Sequence, residues 1–316
     1  MLANPRIYPQ LRLNGIFLLT GPFPQAGYSY NLQCMESRRP SLTAYGAALH
    51  RAAHQVVDVP PVFTDPLALR IVGPEVADEL RAGRDRHTEI AASRMRAFLA
   101  VRSRYTEDCF AQAAAGGVAQ YVVLGAGLDT FAYRTDRRDL RIFEVDHPAT
   151  QGWKRERLAS AGIGIPETLT YAPVDFERET LHEGLKRAGL DFDRPAFFAW
   201  LGVVPYLSRE AIDATLGFVA REMKRTSEIL FDYAEPMEGR SAPQREALAE
   251  LARRVAEIGE PLRSFFKPDD LQRDLRAHGF SFVEDADTAA LTARYFLNRT
   301  DGLALGGTAH IMRARL

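Results

Sequence analysis

The segment Tyr121-Val-Val-Leu-Gly-Ala-Gly-Leu-Asp-Thr130 places two glycines, Gly125 and Gly127, directly after a short apolar run. Such a run is the pattern of a strand covered on both faces. Glycines at its end let backbone approach a ligand closely, and the helix that follows presents unpaired N–H groups. About 20 residues further on, the spacing found in nucleotide sites, Phe143-Glu-Val-Asp-His147 ends a second strand in acid. A carboxylate there can accept hydrogen bonds from ribose hydroxyls. Asp146 is the first candidate, and Glu144, on the same strand face, is the second. A third acid, Asp175, follows a third strand in Ala172-Pro-Val-Asp-Phe176. It can accept from an adenine amino group with Phe176 against the ring, or it can cap the next helix. Both roles are open.

A dinucleotide fold would share the glycines and the first acid. Its third, close-packing glycine is replaced here by Thr130, and no Tyr and Lys three residues apart on a suitable helix suggests hydride transfer. No metal site is expected. The seven histidines are scattered, and His50 and His54, four apart on a helix, have neither a nearby acid nor a third ligand in sequence.

The elements that must hold these residues are legible around them. A helix is expected from Ser41 to about Asp58, a short one over 65–72 with Pro66 in its first turn, and a long one from about Asp85 to Ala115. Strands follow at 121–124, 141–145, 169–172, 196–200 and 228–232, separated by helices near 129–135, 149–161, 177–188 and 208–225. That alternation builds a parallel sheet with helices on both faces and right-handed connections. Beyond it, 268–278 reads as a helix closed by Gly279, and 280–284 and 310–313 as two strands joined by a long excursion. The last can enter antiparallel, making a mostly parallel seven-stranded sheet. Residues 35–316 read as one domain, with 35–117 a helical cap and 118–316 the core; the segment 236–267 would cover the sheet's ligand edge.

Composition sets the outer bounds. The chain has 316 residues, 40 basic against 41 acidic, and a net charge of −1, so no global field favours nucleic acid or an anionic membrane. Two cysteines, Cys34 and Cys109, make no disulfide framework, which suits a cytoplasmic protein. No stretch approaches the roughly 20 apolar residues of a membrane span. Residues 1–34 carry a short apolar run but no clear cleavage site; patterned sequence starts at Ser41, and Met35 could be the natural start. Oligomeric state is not legible.

Taken in order, several segments are similar to one known family. Ser41-Leu-Thr-Ala-Tyr45, Thr64-Asp-Pro-Leu-Ala68, Arg102-Ser-Arg-Tyr-Thr-Glu-Asp108, Leu124-Gly-Ala-Gly-Leu-Asp-Thr-Phe-Ala-Tyr-Arg134, Phe143-Glu-Val-Asp-His-Pro148, Val203-Val-Pro-Tyr-Leu207 and Ala293-Arg-Tyr-Phe296 resemble the leucine carboxyl methyltransferase family. Within it they look most like the bacterial branch that O-methylates small molecules. The resemblance covers nearly all of 41–316. It implies a Rossmann-like class I fold and S-adenosyl-L-methionine as cofactor. It also implies that Arg102 holds the methionine carboxylate, Gly125 and Gly127 border methionine and ribose, Asp146 binds ribose, and Asp175 with Phe176 holds adenine. Asp129 and Arg134 belong to the same signature, serving the cofactor's amino end or bracing the turn as an ion pair.

One position departs from the family pattern. Relatives often carry Glu just after the fourth strand, and here Leu201 stands there, in Trp200-Leu-Gly-Val-Val-Pro-Tyr206. The change weakens methylation of a protein C-terminus, the main alternative, and favours a small-molecule acceptor from secondary metabolism; a nicotinamide-dependent oxidoreductase is the more distant alternative. A phenol or alcohol acceptor needs a base and a carboxylate does not. His147 and Tyr206 are the candidate bases, and neither has visible partners in sequence.

Overall fold

The computed structural model of the protein describes residues 41–83, 90–176, 178–306 and 309–316. The proposed N-terminal extension, 1–34, lies outside the described residues. Among the described residues four helices come first: α1 (Leu42–Val57), α2 (Ala68–Ile71) and α3 (Pro74–Arg81), which cluster together as a cap, and α4 (Ile90–Ala115), which packs on the sheet. Ser41 caps α1 as expected, its side chain accepting from the Ala44 N–H. The single helix expected over 65–72 is shorter. Asp65 Oδ1 takes the Leu67 N–H and its carbonyl takes that of Ala68, so a turn precedes α2. Gly73, at φ +94°, then starts α3 with Pro74 in its first turn, a start signal legible in the Gly-Pro pair.

The sheet follows the expected alternation. Its strands are β1 (Gln120–Leu124), β2 (Arg141–Asp146), β3 (Leu169–Pro173), β4 (Phe197–Trp200), β5 (Glu228–Ala234), β6 (Phe282–Ala286) and β7 (Ala309–Arg315), in the order β3-β2-β1-β4-β5-β7-β6. β1 to β5 pair in parallel, and β7 runs antiparallel to both of its neighbours. The order reverses between β1 and β4, so a crevice opens beyond their carboxyl ends, directly at Gly125.

Strand alternation divides the core. Val122, Leu124, Phe143, Val145, Phe198 and Trp200 point to one face. There they meet α7 (Leu181–Arg187), α8 (Arg209–Glu222) and α10 (Pro268–His278). Tyr121, Val123, Ile142 and Phe197 point to the other, against α4 and the short α5 (Phe131–Arg134). Phe110 of α4 packs edge-on to Tyr121, Phe131 and Phe197. The cap has an apolar cluster of its own, in which Leu49, Ile71 and Leu80 surround Leu128 of the glycine turn and Leu158 of α6 (Pro148–Ser160).

Two details at the carboxyl end differ from expectation. α10 ends where predicted, with Gly279 at φ +108°, but the Phe280 N–H turns back to the Leu275 carbonyl and Phe280 packs into the core. That closure delays β6 by two residues. The excursion before β7 contains α11 (Thr288–Tyr295), capped by Asp287 and tied to α4 through Tyr295 Oη and Asp108, 2.8 Å apart.

His54 also corrects an expectation. It does have an acid nearby: Asp58 lies 2.6 Å from Nδ1, while Nε2 accepts from the Val62 and Phe63 N–H groups. Arg96 completes the cluster against Asp58 at 2.7 Å, so both ring nitrogens serve the cap. Among the described residues no group of three or more His, Cys, Asp or Glu is placed to hold a metal ion, and no helix is long and apolar enough to cross a membrane.

Candidate functional site

The glycine turn is held open by its neighbours. Gly125 has φ +65° and Gly127 φ +45°, a region that L side chains avoid. A Cβ on Gly125 would overlap the Val203 side chain, and one on Gly127 would lie 2.9 Å from the Ala44 Cβ. The two glycines therefore allow α1 and the segment after β4 to close in from either side. Asp146, at the end of β2, fixes the turn between them. Its Oδ2 accepts from the Gly127 N–H at 2.6 Å and its Oδ1 from the His147 N–H at 2.7 Å. Burial outweighs these donors and raises its pKa from the ordinary aspartate value.

Asp175 and Phe176 lie beyond β3, next along the crevice. The alternative reading of Asp175 as a helix cap is not met. α7 begins at Leu181, capped by Thr180 in a capping box with Glu183, so Asp175 occupies a separate turn with its carboxylate 3.3 Å from Arg178. Phe176 is 64% exposed, an uncovered aromatic face beside an acid.

Arg102 reaches the site from α4 on the far side. Its guanidinium donates to Asp232 Oδ2 at 3.0 Å, and Asp232 Oδ1 accepts from the Gly202 N–H at 2.5 Å. A Cβ on Gly202 would sit 2.8 Å from Arg102 Nη1, so this glycine admits the arginine. Leu201 supplies no carboxylate, but Asp232 brings one onto the N–H of the next residue, Gly202. The signal for it is the acid in the apolar run of the fifth strand, Phe231-Asp-Tyr233.

Other expected residues are placed differently. Glu144 shares the face of Asp146 but lies one pleat deeper, fully buried, with Lys154 at 2.7 Å and Tyr133 Oη at 3.2 Å. It supports the site from beneath and does not line it. Burial pushes its pKa up to about 7 against the opposing charge of Lys154. Asp129 and Arg134 do not pair. Asp129 Oδ1 accepts from the Phe131 N–H at 2.8 Å, starting α5, while Arg134 forks onto Glu107, with Nη1 2.9 Å from Oε2. Neither candidate base is well placed to take a proton. His147 Nδ1 accepts from the Ala149 N–H at 3.2 Å, capping α6. Burial pushes the Tyr206 phenol up to about 12, among Arg102, Glu260, Asp232 and Thr43.

Glu260 had no sequence signal at all. It follows α9 (Ala242–Glu257), and its Oε1 accepts from the Leu42 N–H at 2.9 Å while its Oε2 takes the Ser41 hydroxyl at 3.2 Å and contacts the Thr43 hydroxyl. A carboxylate on the first turn of α1 is favourably placed against the helix dipole. Nearby, the Arg263 N–H reaches the Pro205 carbonyl at 2.7 Å and the Phe266 N–H the Ala234 carbonyl at 3.0 Å. Residues 260–266 thus run across the ends of β4 and β5 to meet the start of α1.

The strand order, with a glycine turn at its switch point and an acid ending the neighbouring strand, is that of the class I S-adenosyl-L-methionine-dependent methyltransferases. A family model for leucine carboxyl methyltransferase matches residues 44–220, and the chain belongs to that family. A Bacillus subtilis relative, YktD, named for S-adenosyl-L-methionine-dependent methyl transfer, is 28% identical over 302 residues, covering 89% of this chain and 99% of its own. A Mycobacterium tuberculosis relative named for the same activity is 32% identical over 230 residues, 64% of this chain and 73% of its own. A Thermobifida fusca crystal structure, described as that of a methyltransferase, shares the fold with a TM-score of 0.52 at 19% identity, covering 91% of this chain and 99% of that one.

Proposed function

We propose that the protein transfers the methyl group of S-adenosyl-L-methionine to a carboxylate oxygen of a small acid. Asp146 accepts from the ribose hydroxyls, Asp175 and Phe176 hold the adenine, and Arg102 receives the methionine carboxylate. The second oxygen of Asp129 faces the cofactor's amino end, and Gly125 and Gly127 give the chain room to approach. The acceptor oxygen attacks the methyl carbon in line. The C–S bond breaks, its electron pair stays on sulfur, and neutral S-adenosylhomocysteine leaves. Because the sulfonium is already activated, alignment is the protein's main task.

The observation that carries the choice of a carboxylate is the state of the two candidate bases. With His147 Nδ1 capping a helix and Tyr206 raised to about 12, a ready-ionised acceptor fits best. The test is mass spectrometry for a one-methylene gain across a panel of small carboxylic acids and phenols. Gain on acids is expected, with a rate flat from roughly pH 6 to 9. Label from the cofactor appearing on a polypeptide in cell extract, with none on the panel, would replace this reading by methylation of a protein C-terminus.

A phenol or alcohol acceptor is favoured by one specific observation. His310, at the start of β7, lies with Nδ1 3.0 Å from Asp285 Oδ2, and Tyr233 Oη donates to the same oxygen at 3.0 Å. Nε2 faces Glu235 at 3.6 Å. Burial pulls the His310 pKa down, but the hydrogen bond it donates to Asp285 and the charges of Asp285, Glu235 and Asp287 leave it above 6.5. An acid-oriented imidazole at the end of β5 is built like a general base. If it is one, phenols gain the methyl group, the rate rises with pH as His310 loses its proton, and His310→Gln removes that rise. A profile unchanged by His310→Gln excludes this second reading.

A further inference from the structure

We propose that Asp65 and Arg51 of the helical cap are positioning residues that set affinity for S-adenosyl-L-methionine without touching it. The proposal rests on the reading that the 125–130 turn borders the cofactor. Arg51 Nη2 donates to the Leu128 carbonyl at 2.6 Å. Asp65 Oδ2 accepts from the Thr130 hydroxyl at 2.7 Å and from Arg51 Nε at 3.4 Å. Leu128, Thr130 and Asp65 are each 2% exposed or less. The cap therefore grips two alternate residues of the turn, one through its carbonyl and one through its side chain.

The same turn is also held at Gly127. Asp146 holds the Gly127 N–H from β2, and Ala44 of α1 closes over Gly127. Residues 125–127 contain two glycines at positive φ, the kind of backbone that loses most entropy when a ligand orders it. Ordering the turn during folding removes that cost from binding. In a buried, low-dielectric setting, the charge on Asp65 holds its partners more firmly than it would in water. The cap also docks on Leu128, Leu158 and Trp153 through its own apolar cluster, so loss of one polar tie should loosen the turn without detaching the cap.

The test is titration calorimetry of the full chain with S-adenosylhomocysteine, alongside the melting temperature of each variant. Thr130→Val removes the hydroxyl at nearly constant volume and should raise Kd about ten-fold or more. Asp65→Asn keeps the local turn and loses the charge, and it should do the same; Thr130→Ser restores the hydroxyl and should bind within about two-fold of the unsubstituted protein. A purely structural role would lower Tm and leave Kd unmoved. Unchanged Kd in both Thr130→Val and Asp65→Asn, measured well below Tm, would overturn the proposal. No binding by the unsubstituted protein would overturn the cofactor reading beneath it as well, and the two failures are distinct.

Discussion

Asp146→Ala should raise the Kd for S-adenosylhomocysteine about a hundred-fold or more while leaving a folded protein. The carboxylate receives the Gly127 and His147 N–H groups at 2.6 and 2.7 Å, so its removal strands two donors and frees the glycine turn. It also removes the proposed acceptor for the ribose hydroxyls. Hydrogen bonds to a charged group contribute about 1.5–3 kcal/mol each. Loss of the ribose contacts alone therefore corresponds to at least about two powers of ten in affinity. Asp146→Asn keeps one acceptor oxygen and should fall between. Calorimetry decides the matter: an Asp146→Ala protein that binds with unchanged affinity would remove Asp146 from the cofactor site.

The largest expected effect on stability lies beneath the same turn. Lys154→Met should destabilise the protein by about 3–5 kcal/mol, because it leaves an uncompensated buried carboxylate on Glu144. Lys154 and Glu144 are 1% and 0% exposed, and their 2.7 Å pair is the cation contact of that carboxylate. Tyr133 Oη bonds both Glu144 and Tyr171, so a network collapses with it. The double replacement Glu144→Gln with Lys154→Met removes both charges and should recover most of the loss. The pH dependence follows from the direction of the Glu144 shift. Its folded pKa, about 7, is raised above the ordinary 4.5, so its contribution to stability is fully present below 4.5 and is lost as pH rises through 7. The penalty in Lys154→Met should accordingly shrink as pH falls towards 5. Urea denaturation at the two pH values measures it; an equal penalty at both would mean that Glu144 stays neutral throughout.

Local patterns carried most of the fold. Short apolar runs separated by helical segments define β1 to β5, and the glycine pair with the acid ending β2 marks the crevice, because each is encoded by neighbours in sequence. The errors arose where a distant partner decides the outcome. Alternation correctly put Glu144 on the face of Asp146, but strand rise sets it roughly 7 Å deeper, where Lys154 of α6 meets it. Arg134 finds Glu107, 27 residues upstream, in preference to Asp129, its neighbour in the same turn. Asp175 resembled a helix cap, although Thr180-Leu-His-Glu183 spelled out the true start of α7. Glu260 reaches the first turn of α1 across 217 to 219 positions, and no periodicity announces such a contact. The 260–266 crossing is equally hard to read, because it meets the start of α1 and the ends of β4 and β5 only after the chain has folded.

The most direct test of this account is a crystal structure of the full chain with S-adenosylhomocysteine bound. The ribose hydroxyls are expected within hydrogen-bond distance of Asp146, the adenine against Phe176 with its amino group towards Asp175, and the ligand's carboxylate on Arg102. A ligand bound elsewhere, or seated in the crevice with Asp146 out of reach of the ribose, would contradict it.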